Sequence, residues 1–171
     1  MKADIRTSKL CKGSEKMNRD GLGELILHST DSMYRVAKII LGDDEDCKDA
    51  ISEAIVHAYE KLHTLQYDNY AKTWLMRILM NECYQLIRKR KSYVALEACE
   101  TEAVEPKEDY SELYQALKKL PEKLRVAVVL HYIEGYKVKE IAAILHSTQT
   151  AVKKRLARGR EALKQYLSED E

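Results

Sequence analysis

Apolar residues recur three and four positions apart along most of this chain, which is the spacing of one face of an α-helix. Leu22, Leu25 and Ile26 form a short first stripe, and Met33, Val36, Ala37, Ile40 and Leu41 form a second. Gly42 predicts a helix C-terminus there. The acidic turn Asp43, Asp44, Glu45 and Asp46 predicts a new N-terminus, where carboxylates meet exposed amides. Ala50, Ile51, Ala54, Ile55, Ala58 and Leu62 predict the buried face of a third helix. A loop from Gln66 to Tyr70 leads to a fourth, with Trp74, Leu75, Ile78, Leu79, Leu86 and Ile87 on its inner face. That helix is expected to end in the basic cluster Arg88, Lys89, Arg90 and Lys91.

The periodicity then stops. Between Tyr93 and Tyr110 stand Glu97, Glu100, Glu102, Glu105, Glu108 and Asp109 against Lys107, with Pro106 among them. This composition predicts an acidic linker, poorly ordered by itself. A second unit follows. Leu113, Leu117 and Leu120 line one helix, and Pro121 favours the start of another carrying Leu124, Val128, His131 and Tyr132 up to Gly135. Residues 1–20 are polar and read as a mobile leader, with Met17 a second candidate start. The expected organisation is therefore a leader at 1–20, a helical domain at 21–92, a linker at 93–110 and a second domain at 111–171.

Composition agrees with an all-α fold of two small helical domains joined by an acidic linker. The 171 residues are 45% hydrophobic and 33% charged, with only 6 Gly and 2 Pro and with short β-branched runs, which argues against a sheet. There is no Phe but there are 11 Tyr, so the core must draw on Leu, Ile, Val, Ala and Tyr. No apolar run approaches the roughly 18–20 residues that span a bilayer, and the N-terminus lacks a signal-peptide core. No membrane insertion and a cytoplasmic location are expected. Cys11, Cys47, Cys83 and Cys99 are scattered without a CxxC pair and read as reduced thiols.

The net charge is only +1, but basic residues gather near the C-terminus. Residues 138–160 read VKEIAAILHSTQTAVKKRLARGR. Val138, Ile141, Ala142 and Leu145 predict a short helix, His146 and Ser147 a tight turn, and Thr148 the N-cap of a second helix. Val152 and Leu156 would hold the second helix to the first, with Ala142 and Ala143 allowing a close crossing. This is a helix-turn-helix pattern, completing a winged-helix-like four-helix unit. The reading helix would present Thr148, Gln149, Thr150, Lys153, Lys154, Arg155 and Arg158 to DNA. Thr and Gln hydrogen-bond base edges, while Lys and Arg contact guanine or phosphate. His146 stands where such turns usually carry Gly, and Ala151 where Thr is frequent.

With both units considered together, residues 22–167 resemble the extracytoplasmic-function group of the sigma-70 family. The stretch MYRVAKIILGDDEDCKDAISEAIVHAYEKL is similar to that family's core-binding segment, with Asp49 and Glu53 in its D-x-x-x-E pattern and Ser52 where Gln is usual. TWLMRILMNECYQLIRKRK is similar to its promoter-melting, −10-reading helix, matching at Trp74, Leu75, Arg77, Ile78, Asn81 and Arg88, with Gln85 replacing the common Asp. ALKKLPEKLRVAVVLHYIEGYKVKEIA resembles the lead-in to its −35-reading motif, including Leu120, Pro121, Glu134 and Gly135. The resemblance implies a sigma factor that binds core RNA polymerase, directs it to promoter DNA and assists melting, with an anti-sigma factor as a further partner. It implies polymerase contacts at Asp49, Ser52 and Glu53, and reading of the −35 element by the helix-turn-helix.

The chemistry of melting agrees with this implication. Unstacked bases are held by aromatic platforms, amides and cations. Tyr67, Asn69, Tyr70 and Asn81 supply the first two, and Arg77, Arg88 and Lys89 the third. A linker of 18 residues reaches about 60 Å at roughly 3.3 Å per residue. The implied promoter elements lie about 17 base pairs apart, near 58 Å at roughly 3.4 Å per step, so both units can engage together. Trp74 is expected to be core.

No cofactor, metal site or enzymatic activity is expected. Glu60-x-x-His63 has di-iron spacing but lacks the second such motif and the two further Glu that a di-iron bundle needs. Glu24/His28 and Glu53/His57 read as surface pairs. No phosphate loop, nucleophile elbow or zinc signature is present. The competing readings are a stand-alone helix-turn-helix regulator and a protein-binding helical adaptor.

Overall fold

The computed structural model describes residues 16–96 and 112–168, and every regular element among them is helical. In chain order these are α1 (Arg19–Leu41), α2 (Asp44–Glu60), two single 3₁₀ turns (Leu62–Thr64 and Asp68–Tyr70), α3 (Ala71–Leu96), α4 (Glu112–Lys119), α5 (Glu122–Val128) with a π-turn over Val129–Ile133, α6 (Val138–Ile144) and α7 (Gln149–Ser168). Most of the expected linker, and the leader up to residue 15, lie outside the described residues.

Helix α1 is one continuous element where the sequence pattern suggested two. The polar stretch between the stripes contains no breaker, and Thr30 Oγ1 donates to the Ile26 carbonyl at 2.9 Å, within the helix. Ser29 and Ser32 are buried, so this stretch faces protein. The helix also starts inside the expected leader: the Asn18 side chain accepts from Gly21 N–H at 2.8 Å, a cap that contributes about 1 kcal/mol. Gly42 ends it as expected, with φ 79° and its N–H on the Lys38 carbonyl. Asp43 then caps α2 through Asp46 N–H at 3.0 Å, and Asp44, Glu45 and Asp46 occupy the first turn. Asp44 also holds Lys38 and accepts from Tyr34 Oη at 2.6 Å, which ties the two helix ends together. That hydrogen bond pushes the Tyr34 phenol up to about 12, and Lys38 and Tyr34 hold the Asp44 carboxyl below its usual range.

The inner face of α2 is a ladder of small residues, Cys47, Ala50, Ala54 and Ala58, all buried. Small side chains let α2 approach α3 closely. The partner of His57 is Glu82 on α3, at 2.8 Å, rather than the expected Glu53. Glu82 is buried, and a buried carboxylate needs a polar partner. Helix α3 is buried on almost every side from Ala71 to Cys83 and crosses both units, packing against α1, α2 and α6. It continues to Leu96, past the expected stop at the basic cluster, since no Gly or Pro intervenes. Trp74 is core, with Nε1 directed at Thr64 Oγ1, 3.3 Å away.

In the second unit Pro121 caps α5, whose end widens into the π-turn. Gly135 follows with φ 75°, and Tyr136 N–H returns to the Leu130 carbonyl at 2.9 Å. Ile141, Ile144, Val152 and Leu156 form the buried seam between α6 and α7. Ile144, rather than the expected Leu145, is the fully buried residue at that end of α6.

Candidate nucleic-acid interface

The turn between α6 and α7 is built as the sequence suggests. His146 has φ 47°, the left-handed conformation that glycine usually supplies, and Ser147 N–H closes onto the Ala142 carbonyl at 2.9 Å. Thr148 Oγ1 accepts from Ala151 N–H at 3.1 Å and starts α7. Its hydroxyl is thus committed as an acceptor, though the residue itself is exposed.

From this cap, Gln149, Thr150, Lys153, Lys154 and Arg158 are all exposed. Thr150, Lys153, Lys154 and Arg158 share one side by helical spacing. The positive end of the helix dipole adds to their charge at the first turn. Arg155 differs: it is half-buried, and its charge is within electrostatic reach of Tyr84 on α3. Ala142 is buried in the helix crossing, whereas Ala143 is exposed and faces the first unit instead.

The second cluster lies on the first unit. Tyr67 and Tyr70 are 64% and 43% exposed and meet edge to face, with ring centroids 6.3 Å apart. Exposed rings of this kind offer π-faces on which unstacked bases can stack. Asn69 between them is exposed, and Asp68 Oδ1 accepts from Met17 N–H at 2.9 Å, anchoring the loop. Both tyrosines, Thr73, Trp74 and Arg77 line a cleft of about 460 Å³ whose far wall is Ala143 of α6.

Along α3, Arg77, Asn81 and Arg88 share one side by helical spacing, and Asn81 and Arg88 are exposed. Lys89 is exposed but lies about a quarter-turn further round. Arg90, counted with the basic cluster, pairs with Asp46 at the start of α2 and serves the fold.

A third surface is the outer side of α2. Asp49, Ser52 and Glu53 are exposed together, opposite the buried alanine ladder. Val56 joins them and is 51% exposed, an apolar residue at the centre of a polar stripe. The sequence pattern left it off the buried face but gave it no role, because a lone apolar residue carries no charge or hydrogen-bonding signal. Among the described residues, no three of His, Cys, Asp and Glu are grouped to hold a metal ion, and no helix is long and apolar enough to cross a membrane. His63 of the Glu60-x-x-His63 motif bonds the Glu60 backbone carbonyl at 3.1 Å.

Comparison with known proteins places these surfaces in context. Residues 25–93 match the family model Sigma-70 region 2, and residues 110–163 match Sigma-70, region 4. The chain is 29% identical to the ECF RNA polymerase sigma factor SigW of Bacillus subtilis over 96% of this chain and 98% of that protein. It is 30% identical to the ECF RNA polymerase sigma factor SigE of Mycolicibacterium smegmatis over 85% of this chain and 61% of that protein. Among solved structures, it is similar to the sigma factor RpoE in complex with the anti-sigma factor NepR from Bartonella quintana, with a TM-score of 0.76 and 25% identity over 90% of this chain and 100% of that one.

Proposed function

This chain belongs to the sigma-70 family, in its extracytoplasmic-function group, and is an RNA polymerase sigma factor; from that premise we propose how its residues divide the work. Residues 21–92 dock on core RNA polymerase and open the promoter, and residues 111–171 select the −35 element. The stretch that follows α3 spans the distance between them, and the residues before Met17 are a leader outside both. The factor is not itself an enzyme, and it works in the cytoplasm beside the polymerase it programmes.

In this reading the outer stripe of α2, Asp49, Ser52 and Glu53, meets polymerase. Tyr67, Asn69 and Tyr70 take up bases freed from the opening duplex. Arg77, Asn81, Arg88 and Lys89 hold that strand and its phosphates. Removing a base from the stack costs a few kcal/mol, and cation–phosphate contacts together with polymerase binding offset it. Gln149 and Thr150 read base edges at −35, Lys153, Lys154, Arg155 and Arg158 neutralise phosphate or read guanine, and Thr148 fixes the helix start. An anti-sigma protein is the expected inhibitory partner, as for the Bartonella factor solved with NepR.

The observation that carries this division is the presence of two surfaces on one chain with the chemistry to hold DNA: the exposed Lys/Arg side of α7, and the tyrosine pair beside Arg77. A permanganate footprint on a promoter bound by core polymerase and this chain tests it. Reactive thymines should appear near −10 with the wild type and fade with Tyr67→Ala/Tyr70→Ala, while upstream protection persists. Full melting by that variant would remove the assignment.

A further inference from the structure

The last turn of α1, from Lys38 to Gly42, borders a cleft of about 300 Å³ whose other walls come from α4 and α5. Tyr114, Leu117 and Lys118 supply the α4 wall and fall on one side of that helix by spacing, and Arg125 supplies the α5 wall. The volume lies at the small end of the range for small-molecule sites. None of these residues belongs to the surfaces assigned above to promoter DNA or to polymerase.

The charges in the cleft are out of balance. Among the described residues, the cations Lys38, Lys118 and Arg125 line it and no carboxylate does. Lys38 is already neutralised, because its ammonium is paired with Asp44. Lys118 and Arg125 have no carboxylate partner among the described residues. Lys118 Nζ lies 5.0 Å from the centroid of the Tyr114 ring, a contact that directs the ammonium without neutralising it. Arg125 is half-buried, and its Nε is shielded from solvent with no hydrogen-bond partner among the described residues. A covered N–H left unsatisfied in this way is costly, and an oxygen acceptor removes the cost.

The end of α1 works against an anion, since its carbonyls together carry roughly half a negative charge. Lys118 and Arg125 outweigh it with a full charge each. The same carbonyls add a second preference. The Gly42 N–H satisfies the Lys38 carbonyl, whereas those of Ile39, Ile40 and Leu41 lack a partner within the helix and accept from hydroxyl donors.

We propose that this cleft binds a phosphate monoester carried on a hydroxyl-bearing small molecule, the chemistry shared by sugar phosphates and nucleotides. A monoester phosphate carries about 1.5 to 2 negative charges at neutral pH, which matches the two uncompensated cations better than a carboxylate does. Arg125, turned toward the cleft, grips two phosphate oxygens as a fork, and Lys118 meets the third as a point charge. The hydroxyls donate to the carbonyls that end α1, and the carbon skeleton covers Ile40 and Leu117.

Titration calorimetry on the full chain tests this with ribose 5-phosphate and adenosine monophosphate as probes, beside inorganic phosphate and ribose. At least one ester should bind saturably at a single site, several-fold tighter than inorganic phosphate, and ribose should give no binding heat. The tighter ester distinguishes a sugar-phosphate site from a nucleotide site. Lys118→Gln and Arg125→Gln should each weaken that ester about tenfold, as expected for losing a hydrogen bond to a charged group. Lys123→Gln, which removes an exposed α5 lysine outside the cleft, should leave it unchanged. The Gly42 amide resonance should shift along the same saturation curve. Lys118 is exposed, so its variant keeps the fold and remains decisive whatever Arg125→Gln does to α5. No saturable binding of either ester, or full affinity in Lys118→Gln, would overturn the site. Inorganic phosphate binding as tightly as both esters would overturn the hydroxyl contacts to α1.

Discussion

Gly159 in the middle of α7 lies against Val128 of α5 so closely that a Cβ added to the glycine would stand 2.5 Å from Val128 Cγ2. The reading helix therefore crosses α5 at a point where only a bare Cα fits, and its basic residues are aimed by that crossing. Val128 is buried and β-branched, with one strongly preferred rotamer in a helix, so it gives way poorly. Overpacking of this kind costs about 1–3 kcal/mol, against a gain of about 1 kcal/mol in helix propensity. Gly159→Ala should lower the thermal midpoint, and Val128→Ala in the same chain should cost less than it does alone. Additive effects in that double-mutant cycle would contradict the close crossing.

The exposed basic side of α7 makes a separate prediction. Lys153→Ala and Lys154→Ala should each reduce −35-dependent transcription and flatten the salt dependence of promoter binding by about one unit of slope. Output and salt slope that both match the wild type would remove these lysines from the reading face.

On α2, Glu53→Lys should weaken capture of core polymerase without altering the circular dichroism spectrum, because Glu53 is exposed and outside the core. Val56→Ser should do likewise, since an apolar side chain held half in water gains by being covered. Wild-type affinity for core in both variants would move the docking surface elsewhere.

The buried thiols predict a pH effect. Burial pushes Cys47 up to about 11 and Cys83 up to about 12, from an ordinary value near 9. Both groups are raised in the fold, so their contribution to stability is complete below pH 9 and is lost as pH rises toward those values. Burial raises Tyr84 to about 12 in the same direction. In a Cys11→Ser/Cys99→Ser chain, iodoacetamide at pH 8 should label neither remaining thiol until denaturant is added, and urea midpoints should fall between pH 9 and 11. Rapid labelling of the native chain would contradict the packing of α2 on α3.

Much of this molecule is legible in its sequence, for reasons tied to particular residues. The stops at Gly42 and Gly135 and the cap at Thr148 depend on local backbone chemistry, which short segments carry whole. The exposed face of α7 follows from helical spacing alone. What escaped is what depends on contacts remote in the chain. The polar stretch of α1 looked like a break because nothing nearby reveals that Ser32 meets Glu134, 102 positions away. His57 looked like a partner of Glu53 until the fold supplied Glu82. Gly159 carries no turn signal and gains meaning only from Val128.

The most direct test of promoter direction is transcription of fragmented genomic DNA by purified core polymerase, with and without this chain, followed by sequencing of RNA 5′ ends. New start sites that require the chain, preceded by two shared motifs at near-constant spacing, are the predicted result. A folded preparation that supports no chain-dependent start on any fragment would contradict it.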